Sequence, residues 1–179
     1  MSPNYPPDFY HAQHSYVRQG HRDLLPSILQ SWVSNQANSA DPDHEALSEV
    51  LHRAVSRGHT ADVLAILDAG APPTLRSPYE GYDTPLFVAA EFGQREVARL
   101  LWERVGPSGR FYSSLQHADD NPSLSCIGAA AAGGHTALVA DFLDIWDGWT
   151  PGEMRYALMS AAGDWHPDTV DLLLQTRAA

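Results

Sequence analysis

The chain has 179 residues, 44% of them hydrophobic, and its 11 basic and 22 acidic residues give a net charge of −11. This length allows one domain with a buried core, and the acidic excess disfavours nucleic acid and anionic membrane surfaces as partners because like charges repel. All basic residues are arginines and there is one cysteine, so the chain has no lysine for amine chemistry and no internal disulfide.

Residues 1–10 are rich in proline and tyrosine and are predicted to be a disordered tail, followed by one domain over residues 11–179. His11 and His14 are three residues apart and would share a helix face with Asp8, an arrangement that could bind a metal ion. No fourth ligand lies nearby in the sequence. We therefore favour the tail interpretation and predict no metal site.

A short segment of the chain is repeated. Residues 58–68, GHTADVLAILD, return at residues 134–144 as GHTALVADFLD, and weaker copies begin at residues 20, 93 and 165. The glycines that open the first four copies lie at positions 20, 58, 93 and 134, with separations of 38, 35 and 41 residues. Such spacing is typical of a repeat protein with variable loops.

Each copy predicts a helix, a tight turn and a second helix. An alanine-rich helix precedes the glycine, which ends it in a left-handed conformation, and an amphipathic helix follows. Thr60 and Thr136 are predicted N-caps of second helices, and Thr84 with Pro85 is predicted to cap a first helix. The expected fold is all-α, with about five hairpins at residues 11–34, 44–70, 84–105, 124–147 and 152–176.

Two copies depart from this pattern, and long loops occupy residues 35–43 and 103–123. Pro26 falls near the start of the second helix of the first hairpin and is expected to delay it, because proline disrupts a helix interior. The last copy is predicted to carry an extra residue around Trp165, His166 and Pro167, which would remodel its turn.

The repeat resembles the ankyrin repeat, whose signature is Thr-Pro-Leu-His, Ala-Ala, Gly-His and, after an apolar helix, Gly-Ala. One copy matches it at Thr84-Pro85-Leu86-Phe87, Ala89-Ala90 and Gly93, a second at Leu51-His52, Ala54, Gly58-His59 and Gly70-Ala71, and a third at Ser125-Cys126-Ile127-Gly128, Ala130-Ala131 and Gly134-His135. The resemblance extends over residues 43–176. It implies an α-solenoid of ankyrin-type hairpins with long, hairpin-like loops between them.

The resemblance also implies a concave binding groove formed by the first helices and the loops. Mapped onto this chain, it predicts these partner-binding residues: Arg53, Arg57, Arg76, Tyr79, Tyr82, Glu91, Phe92, Arg110 and Tyr112. Arg53 and Arg57 lie one helical turn apart and are suited to a partner with carboxylates or aromatic groups. Tyr79, Tyr82 and Phe111 could equally tie each loop onto its own repeat.

The other reactive residues are predicted to be structural. His21, His59 and His135 share one turn position, where repetition indicates a turn-stabilising hydrogen bond, and Cys126, at a helix start where the family has proline, is expected to pack in the core. Two acidic groups, Asp119 with Asp120 and Asp141 with Asp144 and Asp147, match no calcium loop and are predicted to form a solvated face. No catalytic or cofactor site is predicted.

The predicted function is therefore a protein-interaction module or scaffold of the cytoplasm, with the nucleus as the alternative compartment. A non-catalytic repeat part of a larger or multi-subunit enzyme or signalling protein is the alternative function, and a metal- or thiol-dependent enzyme is the weakest hypothesis. The apolar C-terminal helix, containing Val170, Leu172, Leu173 and Leu174, is not followed by a polar capping repeat, which suggests a homodimer contact.

Overall fold

A computed structural model describes residues 5–36, 45–76, 84–109 and 125–176. In these residues the fold is all-α, with ten α-helices and no strand. The α-helices are, in chain order, α1 (Pro7–His14), α2 (Leu25–Gln36), α3 (Glu45–Ser56), α4 (Thr60–Asp68), α5 (Pro85–Glu91), α6 (Arg95–Val105), α7 (Cys126–Ala132), α8 (Thr136–Ile145), α9 (Pro151–Gly163) and α10 (Pro167–Thr176).

The N-terminal region differs from the predicted disordered tail, because α1 already begins at Pro7. Tyr5 and Phe9 are buried, and their rings stack with centroids 4.2 Å apart. Burial of two aromatic side chains offsets the entropy cost of ordering this segment. The described part of residues 1–10 therefore belongs to the folded unit.

Helix α1 continues into a π-helical segment, Ser15–Gln19, that ends at Gly20, and a short 3-10 helix leads into α2. Helix α2 begins at Leu25, whereas the other second helices begin two residues after their turn glycine or its equivalent. Pro26 is the second residue of α2, where its missing N–H is not needed by the helix. The predicted late start of this helix is confirmed.

The remaining eight helices form four consecutive pairs that pack in two layers. The first helices of the pairs, α3, α5, α7 and α9, contact one another in that order, and the second helices α4, α6, α8 and α10 do the same. The first-helix layer is lined with fully buried alanines at positions 54, 89, 90, 130, 131, 157 and 161. Small side chains allow these short helices to pack closely, as the sequence predicted.

The turns within the pairs share one backbone geometry. In each, the residue after the left-handed position donates its N–H to the carbonyl five residues earlier, as His135 does to Ala130 over 2.9 Å. Thr84 caps α5 as predicted, accepting the N–H of Phe87 at 3.3 Å. The predicted caps at Thr60 and Thr136 are wrong, because each threonine is the first helical residue and follows a histidine N-cap.

The turn of the last pair is not lengthened, contrary to the predicted extra residue. Trp165 takes the place of the glycine, with a φ of 62°, and the His166 N–H donates to the Ala161 carbonyl at 2.8 Å as in the other turns. The hydrogen bonds of the turn thus hold a bulky residue in a conformation that normally favours glycine.

Side chains from the turns join successive pairs. Each of three turn residues hydrogen-bonds to the carbonyl oxygen of the last residue of the preceding first helix. The bonds are Gln94 Nε2 to Ser56, His135 Nε2 to Glu91 and His166 Nε2 to Ala132, all 2.9 Å. The prediction that the histidines stabilise turns is therefore corrected in its detail. His135 bonds to the preceding pair and not within its own turn.

Candidate functional site

The predicted partner-binding residues of α3 lie at its C-terminal end. Arg53 is in the last turn of the helix and is partly buried, while Arg57 follows the helix and is exposed. Glu91 and Phe92 occupy the positions of Ser56 and Arg57 in the next pair, and Phe92 is 55% exposed. The structure therefore places Arg57 and Phe92 at equivalent turns of neighbouring pairs.

Several predicted residues lie outside the described part of the chain, namely Tyr79, Tyr82, Arg110 and Tyr112, together with Phe111, Asp119 and Asp120. Arg76 is described, and its carbonyl oxygen accepts a hydrogen bond from the Ser48 hydroxyl. This bond holds the backbone of Arg76 against α3.

A third arginine, which the sequence reasoning missed, approaches Arg53 and Arg57. The π-helical segment packs on α3, and Arg57 Nη1 lies 3.0 Å from the position that a Cβ on Gly20 would occupy. Arg18 is two residues before Gly20, on the same segment. We call Arg18, Arg53 and Arg57 the arginine cluster.

The arginine cluster has no carboxylate partner among the described residues. Burial lowers the pKa of Arg53, and the positive charges of Arg57 and Arg18 lower it further. The Nε atom of Arg53 is buried and, among the described residues, has no hydrogen-bond partner. Three like charges are therefore held together at this surface, with no ion pair to any of them among the described residues.

A cavity of about 420 Å³ adjoins the cluster. Its lining residues are Tyr10, Gln13, His14, Val17, Arg18 and Glu49. Arg18 belongs to both the cavity and the cluster, and Glu49 lies one helical turn before Arg53 on α3. The side-chain amide of Gln13 donates a weak hydrogen bond to Glu49 Oε2 at 3.4 Å.

Near this surface, the buried Asp62 forms an ion pair with Arg22, whose side chain is half exposed. The Arg22 guanidinium donates to both carboxylate oxygens, at 2.8 and 2.7 Å, and the Tyr16 hydroxyl donates at 2.8 Å. The hydrogen bond from Arg22 holds the pKa of Asp62 below its usual range, while burial, followed by the hydrogen bond to Asp62, raises the pKa of Tyr16. These contacts join the π-helical segment, which contains Tyr16, and the 3-10 helix, which contains Arg22, to α4.

Asp141 forms a similar pair between α6 and α8, which corrects its predicted place on a solvated acidic face. It is buried, and it accepts hydrogen bonds from Arg95 Nε, from Arg95 Nη2 at 2.7 Å and from Arg99 Nη2 at 3.1 Å. The hydrogen bond from Arg95 is the main reason that the pKa of Asp141 is lowered. The arginines compensate the cost of burying the carboxylate.

The residues of the thiol and metal hypotheses lie on α7 and α1. Cys126 is fully buried as the first residue of α7, whose cap is the Ser125 hydroxyl. His11 and His14 lie on α1, and the described residues hold no group of three or more histidine, cysteine or acidic side chains arranged to bind a metal ion. The arginine cluster is therefore the strongest candidate site.

No known protein-family model matches the chain, and no curated protein matches it in sequence. Within the described residues, no helix combines the length and the apolar character needed to cross a membrane.

Proposed function

We propose that this chain is an ankyrin-type repeat protein that binds a partner protein through the surface containing the arginine cluster. The observation that carries the proposal is the gathering of three arginines that have no carboxylate partner in the described part of a chain whose net charge is −11. Mutual repulsion makes such a cluster unfavourable unless an anionic partner compensates it. A stabilising role is instead performed by the arginines that pair with Asp62 and Asp141.

The ankyrin-type assignment is supported by the repeated contacts. First helices pack on first helices, second helices pack on second helices, and left-handed turns recur at equivalent places. Repeat proteins of this construction commonly use an extended surface for recognition. We propose no catalytic role and no cofactor, and we place the protein in the cytoplasm or the nucleus.

Affinity capture of the partner tests the proposed surface. The double variant Arg53→Glu/Arg57→Glu should lose the proteins that the wild type retains from its native cell extract, as quantified by mass spectrometry. The matched control is Arg155→Glu, because Arg155 is exposed on α9 and makes no ion pair in the described region. Equal retention by the double variant, with unchanged helicity, would show that the binding surface is elsewhere.

A second candidate is a homodimer, or a contact within a larger assembly, at the C-terminal pair. In the third pair, the turn at Gly134 is covered by the next pair, because a Cβ on Gly134 would lie only 2.5 Å from the His166 ring. At the last pair, Met159, Trp165 and Leu174 are instead 64%, 89% and 49% exposed. Exposed apolar groups concentrated in one pair of helices indicate an interaction site, and a second copy is the occupant that we propose.

Light scattering distinguishes a monomer from a dimer directly. Met159→Arg should shift a dimer to the monomer, whereas Val33→Arg, a control at an exposed apolar position of α2, should not. A monomeric wild-type chain at all accessible concentrations would remove this candidate.

A further inference from the structure

We infer that the arginine cluster and the adjoining cavity bind a phosphorylated peptide segment of the partner protein, with the phosphate group received by Arg18, Arg53 and Arg57. The inference rests on the proposed function, and it adds the chemical class that the partner must present. It differs from the expectation of a carboxylate or aromatic partner because of the third arginine.

The ion pairs within this protein show how many guanidinium groups bind one buried carboxylate. Asp62 is paired by the single guanidinium of Arg22, and Asp141 is paired by Arg95 and Arg99. In both cases one or two guanidinium groups occupy the two carboxylate oxygens. A carboxylate offers two acceptor oxygens and a single negative charge, so it compensates three guanidinium groups less completely than a phosphate does.

A phosphate monoester matches three guanidinium groups better. It carries a charge of about −1.5 to −2 near neutral pH and has three strong acceptor oxygens. Arg53 is partly exposed and has no ion pair in the described residues, and Arg57 and Arg18 supply further positive charge from two neighbouring segments. The combined charge of the three guanidinium groups therefore fits a dianion.

A single phosphate on a peptide fits this surface better than a nucleic acid does. The cluster is local, the chain as a whole is acidic, and Glu49 lines the cavity beside Arg18. A polyanion would bring further phosphates against these negative charges, whereas a phosphopeptide brings one. We expect the peptide to carry an arginine or lysine next to its phosphorylated residue, because that side chain can donate a hydrogen bond to Glu49.

The cavity can accommodate residues that flank the phosphate. Its volume of about 420 Å³ lies within the usual range of ligand sites, and its walls include the Tyr10 ring and Val17. Tyr10 is 52% exposed, so its ring is accessible to an approaching peptide. The phosphate and one or two neighbouring side chains would thus be recognised together.

The test uses fluorescent peptide pools, degenerate on either side of a central phosphoserine, phosphotyrosine, serine or glutamate, together with an oligothymidylate. We expect immobilised full-length protein to retain at least one phosphorylated pool about tenfold better than the serine and glutamate pools. Arg18→Gln, Arg53→Gln and Arg57→Gln should each abolish this preference. The control Arg155→Gln should keep it, and thermal melts should show that all variants are folded.

Each other result contradicts the inference in a distinguishable way. Equal retention of the glutamate pool, with loss in the arginine variants, would indicate a carboxylate site and would leave the proposed protein-binding function intact. Preferential retention of the oligothymidylate would overturn both proposals. Retention of no pool, or retention that the arginine variants do not change, would overturn phosphate recognition, while partner capture would still test the broader proposal.

Discussion

The imidazole of His135 donates a hydrogen bond from Nε2 to the carbonyl oxygen of Glu91, 2.9 Å away. Glu91 is the last residue of α5, so this bond attaches the turn between α7 and α8 to the end of the preceding first helix. Gln94 makes the same bond to Ser56 one pair earlier. Two different side chains thus serve one purpose, which is to fix the register between successive pairs.

This equivalence predicts that His135 can be replaced by glutamine but not by alanine. His135→Ala should lower the free energy of unfolding by about 0.5–1 kcal/mol, the contribution of one partly exposed hydrogen bond. His135→Gln should retain most of the stability, because Gln94 shows that an amide reaches the carbonyl. Denaturant unfolding measures both, with His21→Ala as the control for a histidine that is more than half exposed. Equal losses in the two His135 variants would contradict the assigned role.

The buried Asp62 predicts a specific loss of stability in acid. Because Arg22 lowers its pKa in the folded state, Asp62 stabilises the protein above the unfolded-state pKa of about 3.9. This contribution is lost as the pH falls through the lower folded-state pKa. Asp62→Asn should cost about 1–3 kcal/mol at neutral pH, the magnitude of hydrogen bonds to a charged group, and much less at pH ~2.

Unfolding of wild type and variant across this pH range measures the difference. Asp68→Asn is the matched control, because Asp68 is 65% exposed in its pair with Arg104 and should change the stability little at any pH. A loss for Asp62→Asn that is the same at both pH values would show that the carboxylate charge is not what stabilises the contact.

Local signals in the sequence were sufficient for the hairpin turns and for the cap at Thr84. They depend on nearby residues, namely a glycine after an alanine-rich helix or a threonine before Pro85. The order of Tyr5 and Phe9 was missed because it results from packing and has no local periodic pattern. The turn at Trp165 was misjudged because its hydrogen bonds impose a conformation against the intrinsic preference of tryptophan.

The candidate site could be predicted only within one helix. Arg53 lies in the last turn of α3 and Arg57 directly after the helix, four residues apart, so their proximity followed from spacing alone. Arg18 is 35 residues before Arg53, and its approach depends on how the π-helical segment packs on α3. Asp141 was misassigned for the same reason, because its partner Arg95 lies 46 residues away in sequence.

The left-handed conformation of Trp165 predicts that glycine at this position improves the stability of the last pair. The left-handed conformation costs a non-glycine residue about 1–2 kcal/mol, and the entropy of glycine in the unfolded chain offsets about 0.5–1 kcal/mol of that. Trp165→Gly should therefore raise the free energy of unfolding by about 0.5–1 kcal/mol. Trp165→Ala removes the same indole but keeps a Cβ, and should give no such gain. Thermal melts at dilute protein concentration measure both, and an equal effect of the two variants would exclude backbone strain as the cause.

The same substitution at two arginines separates a binding role from a stabilising one. Arg95→Gln removes the principal donor to the buried Asp141 and should lower the melting temperature clearly. The charge of Arg57 lowers the pKa of Arg53, and Arg57 has no carboxylate partner in the described residues. Arg57→Gln should therefore leave the melting temperature unchanged or raise it. Because salt screens exposed charges, the benefit of Arg57→Gln should shrink as the ionic strength rises. Parallel melts at low and high salt measure these effects. A loss of stability in Arg57→Gln comparable to that in Arg95→Gln would mean that Arg57 stabilises the fold. The charge of Arg57 would then be no argument for an anionic partner.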